Sequence, residues 1–316
     1  MSKTIEIKKH LMKPTLVILA AGMASRYGGN KQTDGFGPNN ETILEYSIYD
    51  AIRAGFGKVC FIIRKEHQET FEEKFAKQIA DQIEVAYAFQ EPQLNEYGFD
   101  EYIDRVKPWG TGHALLAAKK VVKENFCVIN ADDFYSLTAF TQMANFLAND
   151  ASDKHFALLG YTIGKTLSDS GPVTRGVCAV TDKGELERLD ERAKVYRNAE
   201  NAIEFVQSDG KPGTLAEDAL VSMNFWGFTP AIFSLLEPLF KTFVKENKED
   251  PKAEFLIPEA AQQLLQNGSA SFSVLAIDAP CFGVTYQEDK PLVREELANL
   301  VAEKIYPANL WNGITV

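Results

Sequence analysis

The sequence predicts an α/β fold, a mostly parallel sheet with helices on both faces, joined to a smaller β-rich lobe. Three observations predict it. In the first half, four short apolar runs alternate with amphipathic stretches of helical length, the mark of βαβ units whose strands are covered on both sides. After about residue 150, strand signals follow one another closely with a hairpin turn between them. No repeat, low-complexity linker or composition break divides the 316 residues, a length that one large domain can span.

The strand runs of the first half are TLVILA (15–20), KVCFII (58–63), IEVAYAF (83–89) and FCVINA (126–131). Between them, ILEYSIYDAIRAG closes on Gly55, and EHQETFEEKFAKQIADQ and GHALLAAKKVVKEN carry helical periodicity. Further on, FALLGYTIG (156–164) reads as a strand, and GVCAVTDKGELERLDE as a hairpin around Asp182–Glu185. ALVSMNFWGFT (219–229) is a strand leading to a helix with Pro230 near its first turn. AEFLIPEAAQQLLQNG is a helix ending at Gly268, SFSVLAID a strand, and KPLVREELANLVAEKIY a closing helix. The expected organisation is one domain over 1–316. Its first half runs over 14–150, the β-rich lobe over 155–228, and closing helices and strands over 229–316. Ligands of such sheets bind beyond the carboxyl ends of the strands, so the loops at 21–41, 90–111 and 132–136 are where function is expected.

A net charge of −11 argues against a general nucleic-acid binder, which needs a basic face. A nucleotide needs only a local cluster of cations. Four cysteines lie far apart, three of them inside apolar strand runs, and read as buried free thiols suited to a reducing compartment. The N-terminal KKHLMKPTLVILAAGMA has some features of a signal peptide, but its apolar core, Leu16 to Ala21, is short. No stretch reaches transmembrane length. A cytoplasmic protein without membrane or nucleic-acid partners is expected, with a homo-oligomer left open.

The loop after the first strand reads LAAGMASRYGGNKQ. Its small residues, Ala20, Ala21, Gly22, Ala24 and Ser25, let backbone N–H groups approach an anion. Arg26 and Lys31 follow in the same loop and make it a candidate polyphosphate cradle, against the plainer reading of a glycine-rich turn with solvated cations. Two named nucleotide motifs fail. No Gly-Lys-Ser/Thr is present, and Ala24 and Tyr27 stand where a dinucleotide fingerprint needs glycines.

What the loop resembles is the signature of the sugar-1-phosphate nucleotidyltransferases, here Leu19-Ala20-Ala21-Gly22-Met23-Ala24-Ser25-Arg26. Further segments follow in the family's order. Gln90 ends the third strand, where the family has a base-reading glutamine. Gly110-Thr111-Gly112-His113-Ala114-Leu115 resembles the next nucleotide-binding segment. Ile129-Asn130-Ala131-Asp132-Asp133 resembles the strand ending in the metal-binding aspartate. Arg175-Gly176-Val177, Leu189-Asp190-Glu191-Arg192 and Ser222-Met223-Asn224-Phe225-Trp226-Gly227 resemble sugar-contacting segments. The resemblance covers about 14–290. It departs from the family at Asn39-Asn40-Glu41, where a lysine is usual and whose role Lys31 is placed to take. It departs again at Gly283, where a second metal-binding aspartate is usual; Asp278 is a possible substitute. The stretch 93–107 is longer than usual, a candidate lid or oligomer contact.

The resemblance implies a Rossmann-like, nucleotidyltransferase or GT-A-like fold with a nucleotide-binding half and a sugar-binding lobe. It implies Mg2+-dependent transfer of a nucleoside monophosphate from an NTP, UTP or dTTP favoured, to a sugar 1-phosphate. Arg26, Lys31 and Asp132 are the candidate catalytic residues, with Mg2+ on Asp132. Ala20, Ala21, Gly22, Met23, Ser25, Gln90, Gly110 and Thr111 are the nucleotide-binding candidates, and Gly176, Glu191 and Asn224 the sugar-binding ones. Asp133 is expected as a helix cap or a supporting residue, and His113 as packing or a ligand contact. Three alternatives stay open. They are a cytidylyltransferase acting on a non-sugar phosphate, a glycosyltransferase of related fold, and an inactive regulatory homologue.

Overall fold

The computed structural model describes residues 12–21, 35–101, 103–207, 209–284 and 286–312. Four parallel strands form its first half: β1 (Thr15–Leu19), β2 (Lys58–Ile63), β3 (Glu84–Phe89) and β4 (Phe126–Asn130). Their spatial order is β4-β1-β2-β3, with Val17 opposite both Cys60 and Val128. These are the four apolar runs of the sequence. Both faces of β1, β2 and β4 are buried, so their alternate residues serve different cores, whereas the edge strand β3 is only partly covered. Leu16 and Ile18 pack on one side of the sheet and Val17 on the other.

Helices fill the connections. α1 (Ile43–Arg53) starts from a capping box in which the Thr42 hydroxyl accepts from Glu45 N and the Glu45 carboxylate accepts from Thr42 N. The stretch 65–79 is helical but mixed: a 3-10 turn, then α2 (Gln68–Phe71), a π-turn over Glu72–Ala76, and α3 (Lys77–Ile79). The wider turn keeps Phe71, Phe75 and Ile79 in one line over the sheet, and the rings of Phe71 and Phe75 lie 5.4 and 6.1 Å from that of Phe61. α4 (Thr111–Ala117) precedes β4. β5 (Asp133–Phe134) and α5 (Leu137–Asn149) follow it. Neither β5 nor α5 was read from the sequence.

The sheet then continues in antiparallel fashion. β6 (His155–Thr162), β7 (Val173–Val180), β8 (Leu186–Arg197), β9 (Ile203–Val206), β10 (Pro212–Leu215) and β11 (Leu220–Phe228) follow in sequence. β11 is the joint. Its second half pairs with β4, its first half with β7, and both halves with β6. Beyond β7 the order runs β8-β9-β10. A bulge between Ser222 and Trp226 makes this switch possible, with Asn224 at a φ of 61°, a left-handed conformation that asparagine tolerates well. β6 pairs with β11 and with β12 (Ser271–Ile277) and so belongs to the main sheet.

α6 (Ala231–Asn247) and α7 (Ile257–Gln266) cover the face that carries α4, and α1 and α5 cover the other. Near the C-terminus, β13 (Phe282–Gly283) pairs with β5, and α8 (Asp289–Ala302) closes a small third core of Phe36, Tyr46, Phe134, Leu297 and Tyr306. All four cysteines are buried and free.

Candidate active site

Two adjoining cavities open at the strand ends. The larger, about 940 Å³, is lined by Asn130, Asp132, Asp133, Arg175 and Gly283, among others. The smaller, about 500 Å³, is lined by Thr111, Gly176, Glu191, Glu259 and Gln262. Asn130, Ser222 and Asn224 belong to both walls. Six segments of the chain, from α4, β4, β7, β8, β11 and α7, therefore converge on the smaller cavity.

Local geometry explains the convergence. Gly110 has a φ of 94°, and a Cβ there would stand 2.5 Å from the backbone oxygen of Phe255. Glycine is thus required for the segment to pass residues 255–257 at the entry to α7. Gly112 N donates to Phe255 O, Phe255 N to Trp109 O, and Ile257 N to the Thr111 hydroxyl. This pairing carries Thr111 to the pocket beside Leu256, Pro258 and Glu259 of the α7 entry. Gly176 and Glu191 face each other across the β7–β8 pair, and the Gln262 side chain accepts from Leu189 N at 2.8 Å, docking α7 on β8. Burial, then the neighbouring Glu191 charge, pushes the Glu259 carboxyl above its ordinary range.

The two cavities are joined by a chain of oriented amides. Trp226 Nε1 donates to Asn224 Oδ1 at 2.8 Å. Asn224 Nδ2 donates to Asn130 Oδ1 at 2.7 Å, and Asn130 Nδ2 donates to Asp133 Oδ2 at 2.8 Å. Tyr135 supports the turn, its hydroxyl accepting from Asn130 N and donating to Met223 O at 2.9 Å. Its contact with Asp133 Oδ2, at 3.4 Å, is the weaker of the two bonds open to a single proton. Asn224, expected to meet a sugar directly, thus has both ends of its amide engaged within the protein. Arg175 lies against Thr166 and Thr174, donating to the Thr166 hydroxyl and to both carbonyls. Burial lowers its pKa, and the opposing charge of Asp133 works against that.

The helix-cap reading of Asp133 does not hold. The residue lies in β5 opposite Gly283, and the N-cap of α5 is Ser136. Ser136 has a φ of 71° and a buried hydroxyl with no hydrogen-bond partner among the described residues, local strain of the kind that gathers at functional sites. Asp278 pairs with Lys165 and is three-quarters exposed; it does not line the cavity that holds Asp132.

Gln90 follows β3, buried, its Nε2 donating to Gly110 O at 3.0 Å and lying 3.4 Å from His113 Nδ1. His113 stacks on Phe240 at 4.8 Å, and burial pushes its pKa down to about 3, so the imidazole is neutral and accepts from Gln90. Both packing and support of Gln90 are its work. Ala20 and Ala21 are buried at the end of β1, with Ala20 N donating to Ile62 O. Gly22, Met23, Ala24, Ser25, Arg26 and Lys31 lie outside the described residues. The 93–107 stretch packs down, Leu94 and Tyr97 being buried and Val106 N and Lys107 N both donating to Pro251 O. Asn130, Arg175, Glu259 and Gln262 were not singled out from the sequence. The only signals were an amide inside an otherwise apolar strand and two polar residues one turn apart on α7.

A mostly parallel sheet that delivers carboxylates and glycine turns to one cleft beyond its strand ends, with a second pocket beside it, has the architecture of an α/β protein that binds its ligands there. The sequence profile of the nucleotidyl transferase family matches residues 16–279, and the chain belongs to that family. No curated protein matches it in sequence. Several solved structures share its fold. A protein described as the glucose-1-phosphate thymidylyltransferase of Bacillus anthracis superposes with a TM-score of 0.61 and 15% identity, over 95% of this chain and 99% of that one. The inositol-1-phosphate CTP transferase from T. maritima gives 0.60 and 11%, over 92% and 97%. A UDP-glucose pyrophosphorylase bound to UDP-glucose gives 0.57 and 16%, over 93% and 100%. The chain is thus a nucleotidyltransferase. Among the described residues, no helix is long and apolar enough to cross a membrane.

Proposed function

We propose that this nucleotidyltransferase moves a nucleoside monophosphate from a pyrimidine NTP, UTP or dTTP, onto a sugar 1-phosphate with Mg2+. The observation that carries the reading is the convergence of Thr111, Gly176, Glu191 and Glu259 on one pocket that shares the Asn130–Asn224 wall with the cavity of Asp132. A hydroxyl-rich substrate in the smaller pocket would present its phosphate at that wall.

Among the described residues no three His, Cys, Asp or Glu side chains cluster closely enough to hold a metal alone. The carboxylates beside Asn130 still fit Mg2+, which uses one or two carboxylates and fills its remaining positions with water and substrate phosphates. When bound, the cation supplies charge neutralisation for phosphates that otherwise repel. Asp132 would hold it, and Arg26 and Lys31 would hold the β- and γ-phosphates. A sugar-phosphate oxygen forms a bond to the α-phosphorus while the bond to the bridging oxygen breaks, and pyrophosphate leaves with that electron pair. No general base is needed, because the attacking oxygen is already anionic; positioning and charge neutralisation carry the rate.

With its N–H groups turned to Gly110 O and His113, Gln90 has its amide oxygen to offer a base. That oxygen matches the N3–H of uracil or thymine, and equally the amino group of cytosine. This favours, as a second reading, a cytidylyltransferase acting on a non-sugar phosphate. Pyrophosphate release measured over a matrix of four NTPs against sugar 1-phosphates, inositol 1-phosphate and amino-alcohol phosphates decides. Highest kcat/KM with UTP or dTTP and a hexose 1-phosphate supports the first reading, CTP with a non-sugar phosphate supports the second, and no release from any pair overturns both.

A further inference from the structure

The pairing of β13 with β5 places Gly283 opposite Asp133. A Cβ at 283 would collide with Asp133 Oδ1 and stand 3.1 Å from the Asp132 carbonyl oxygen. The space that a side chain at 283 would need is therefore filled by the Asp133 carboxylate. The other oxygen of that carboxylate is held by Asn130, whose own amide is oriented by Asn224 and, behind it, Trp226. Asp132 and Asp133 line the same cavity, and the charge of Arg175 bears on Asp133. Asp278, tied to Lys165, is not available there.

We propose that Asp133 is the second protein carboxylate for the divalent cation, admitted by the bare Gly283 and aimed by the positioning residue Asn130. The inference rests on the Mg2+-dependent reading above. Two adjacent carboxylates from one turn then grip the cation, in place of carboxylates from two distant segments. The amide chain makes the floor of the smaller pocket part of the cation site. Asn130 and Asn224 cannot shift to suit a substrate without moving the Asp133 carboxylate.

The test is Mn2+ uptake by the full-length protein, read from loss of the free-ion EPR signal, with melting temperature measured in parallel. Asp132→Asn and Asp133→Asn should each weaken Mn2+ binding by roughly 10–100-fold, and Asn130→Ala by about 10-fold, the scale on which loss of a supporting partner lowers metal affinity. Melting temperatures should stay near that of the wild type in the two Asp→Asn variants. The double variant Asp133→Gly with Gly283→Asp moves the carboxylate across the β5–β13 pair and should recover most of the affinity. Wild-type affinity in Asp133→Asn, or no Mn2+ uptake by the wild-type protein, overturns the proposal. Pyrophosphate release is scored separately. Unchanged Mn2+ affinity in Asp133→Asn with an active transferase sinks this inference alone, whereas an inactive chain whose Mn2+ binding needs both aspartates sinks only the transferase reading.

Discussion

Asp132 stands at the end of β4 because an apolar strand buried on both faces cannot accept a charge until it leaves the sheet. On the proposed reading a carboxylate there would face the substrate phosphates, and its charge would be what it contributes. Asp132→Asn keeps the shape, so turnover should fall by roughly 10²–10³ while the melting temperature holds; an unchanged kcat would remove Asp132 from the reaction. Gln90 is a different kind of residue, an uncharged amide whose contribution rests on its orientation. His113 stays neutral because burial has pushed it down to about 3, so it accepts from Gln90 at every working pH. His113→Phe keeps the stack on Phe240 but frees the amide. The expected result is about a 5-fold rise in KM for the NTP, the value of roughly 1 kcal/mol for one neutral hydrogen bond, with kcat retained. A lower kcat at constant KM would mean that Gln90 acts elsewhere.

At the scale of elements, α1 is clasped to the chain beyond α8. The buried Asp50 accepts from the Tyr306 hydroxyl at 2.6 Å and lies 3.5 Å from Arg53, while Trp311 Nε1 donates to Glu45 at 2.9 Å. Burial pushes Asp50 up to about 7, outweighing the Tyr306 bond and Arg53. The folded chain therefore keeps a proton on Asp50 between about pH 4 and 7 that the unfolded chain has released, so this group's stabilisation is lost as pH rises through that window. His113 acts with opposite sign. Its folded pKa lies below its unfolded one, so between about pH 3 and 6.5 the unfolded chain binds the extra proton and stability rises with pH. The two slopes oppose one another from about pH 4 to 6.5. Asp50→Asn removes one of them while leaving an acceptor for Tyr306. Stability by denaturant melts should then climb with pH across that window, by up to about 1.4 kcal/mol per unit, where the parent protein changes little. A parent-like profile in Asp50→Asn would show that Asp50 does not titrate as its burial requires.

Over the whole molecule, β11 joins the parallel half to the antiparallel extension, and its bulge at Asn224 turns the strand from β4 toward β7. The strand ends of the parallel half carry Asp132 and Gln90, which line different cavities, and the extension with α7 carries Glu191, Glu259 and Gln262. Glu191→Ala should raise KM for the phosphorylated acceptor by at least about 10-fold, since a hydroxyl-binding group lost from such a site costs more than a methylene, and leave KM for the NTP alone. The reverse pattern would mean that the smaller cavity holds the nucleotide.

Most of the sheet was legible in the sequence because strands buried on both faces must be continuously apolar and their connections must break that pattern. TLVILA and KVCFII announce themselves. β5 and β13 do not, because each is a two-residue strand, too short for any period to register. The sequence by itself determined the family, the parallel half and the placing of Asp132 and Gln90 near strand ends. Only the tertiary structure decided what those residues do together. Asp133 became a partner of Gly283, Asn224 a holder of Asn130, and His113 a holder of Gln90. Each of these depends on contacts between residues distant in the chain or on which atom of an amide faces which neighbour. Local sequence carries the propensity of a segment, whereas the direction of a side chain is set by the elements packed against it.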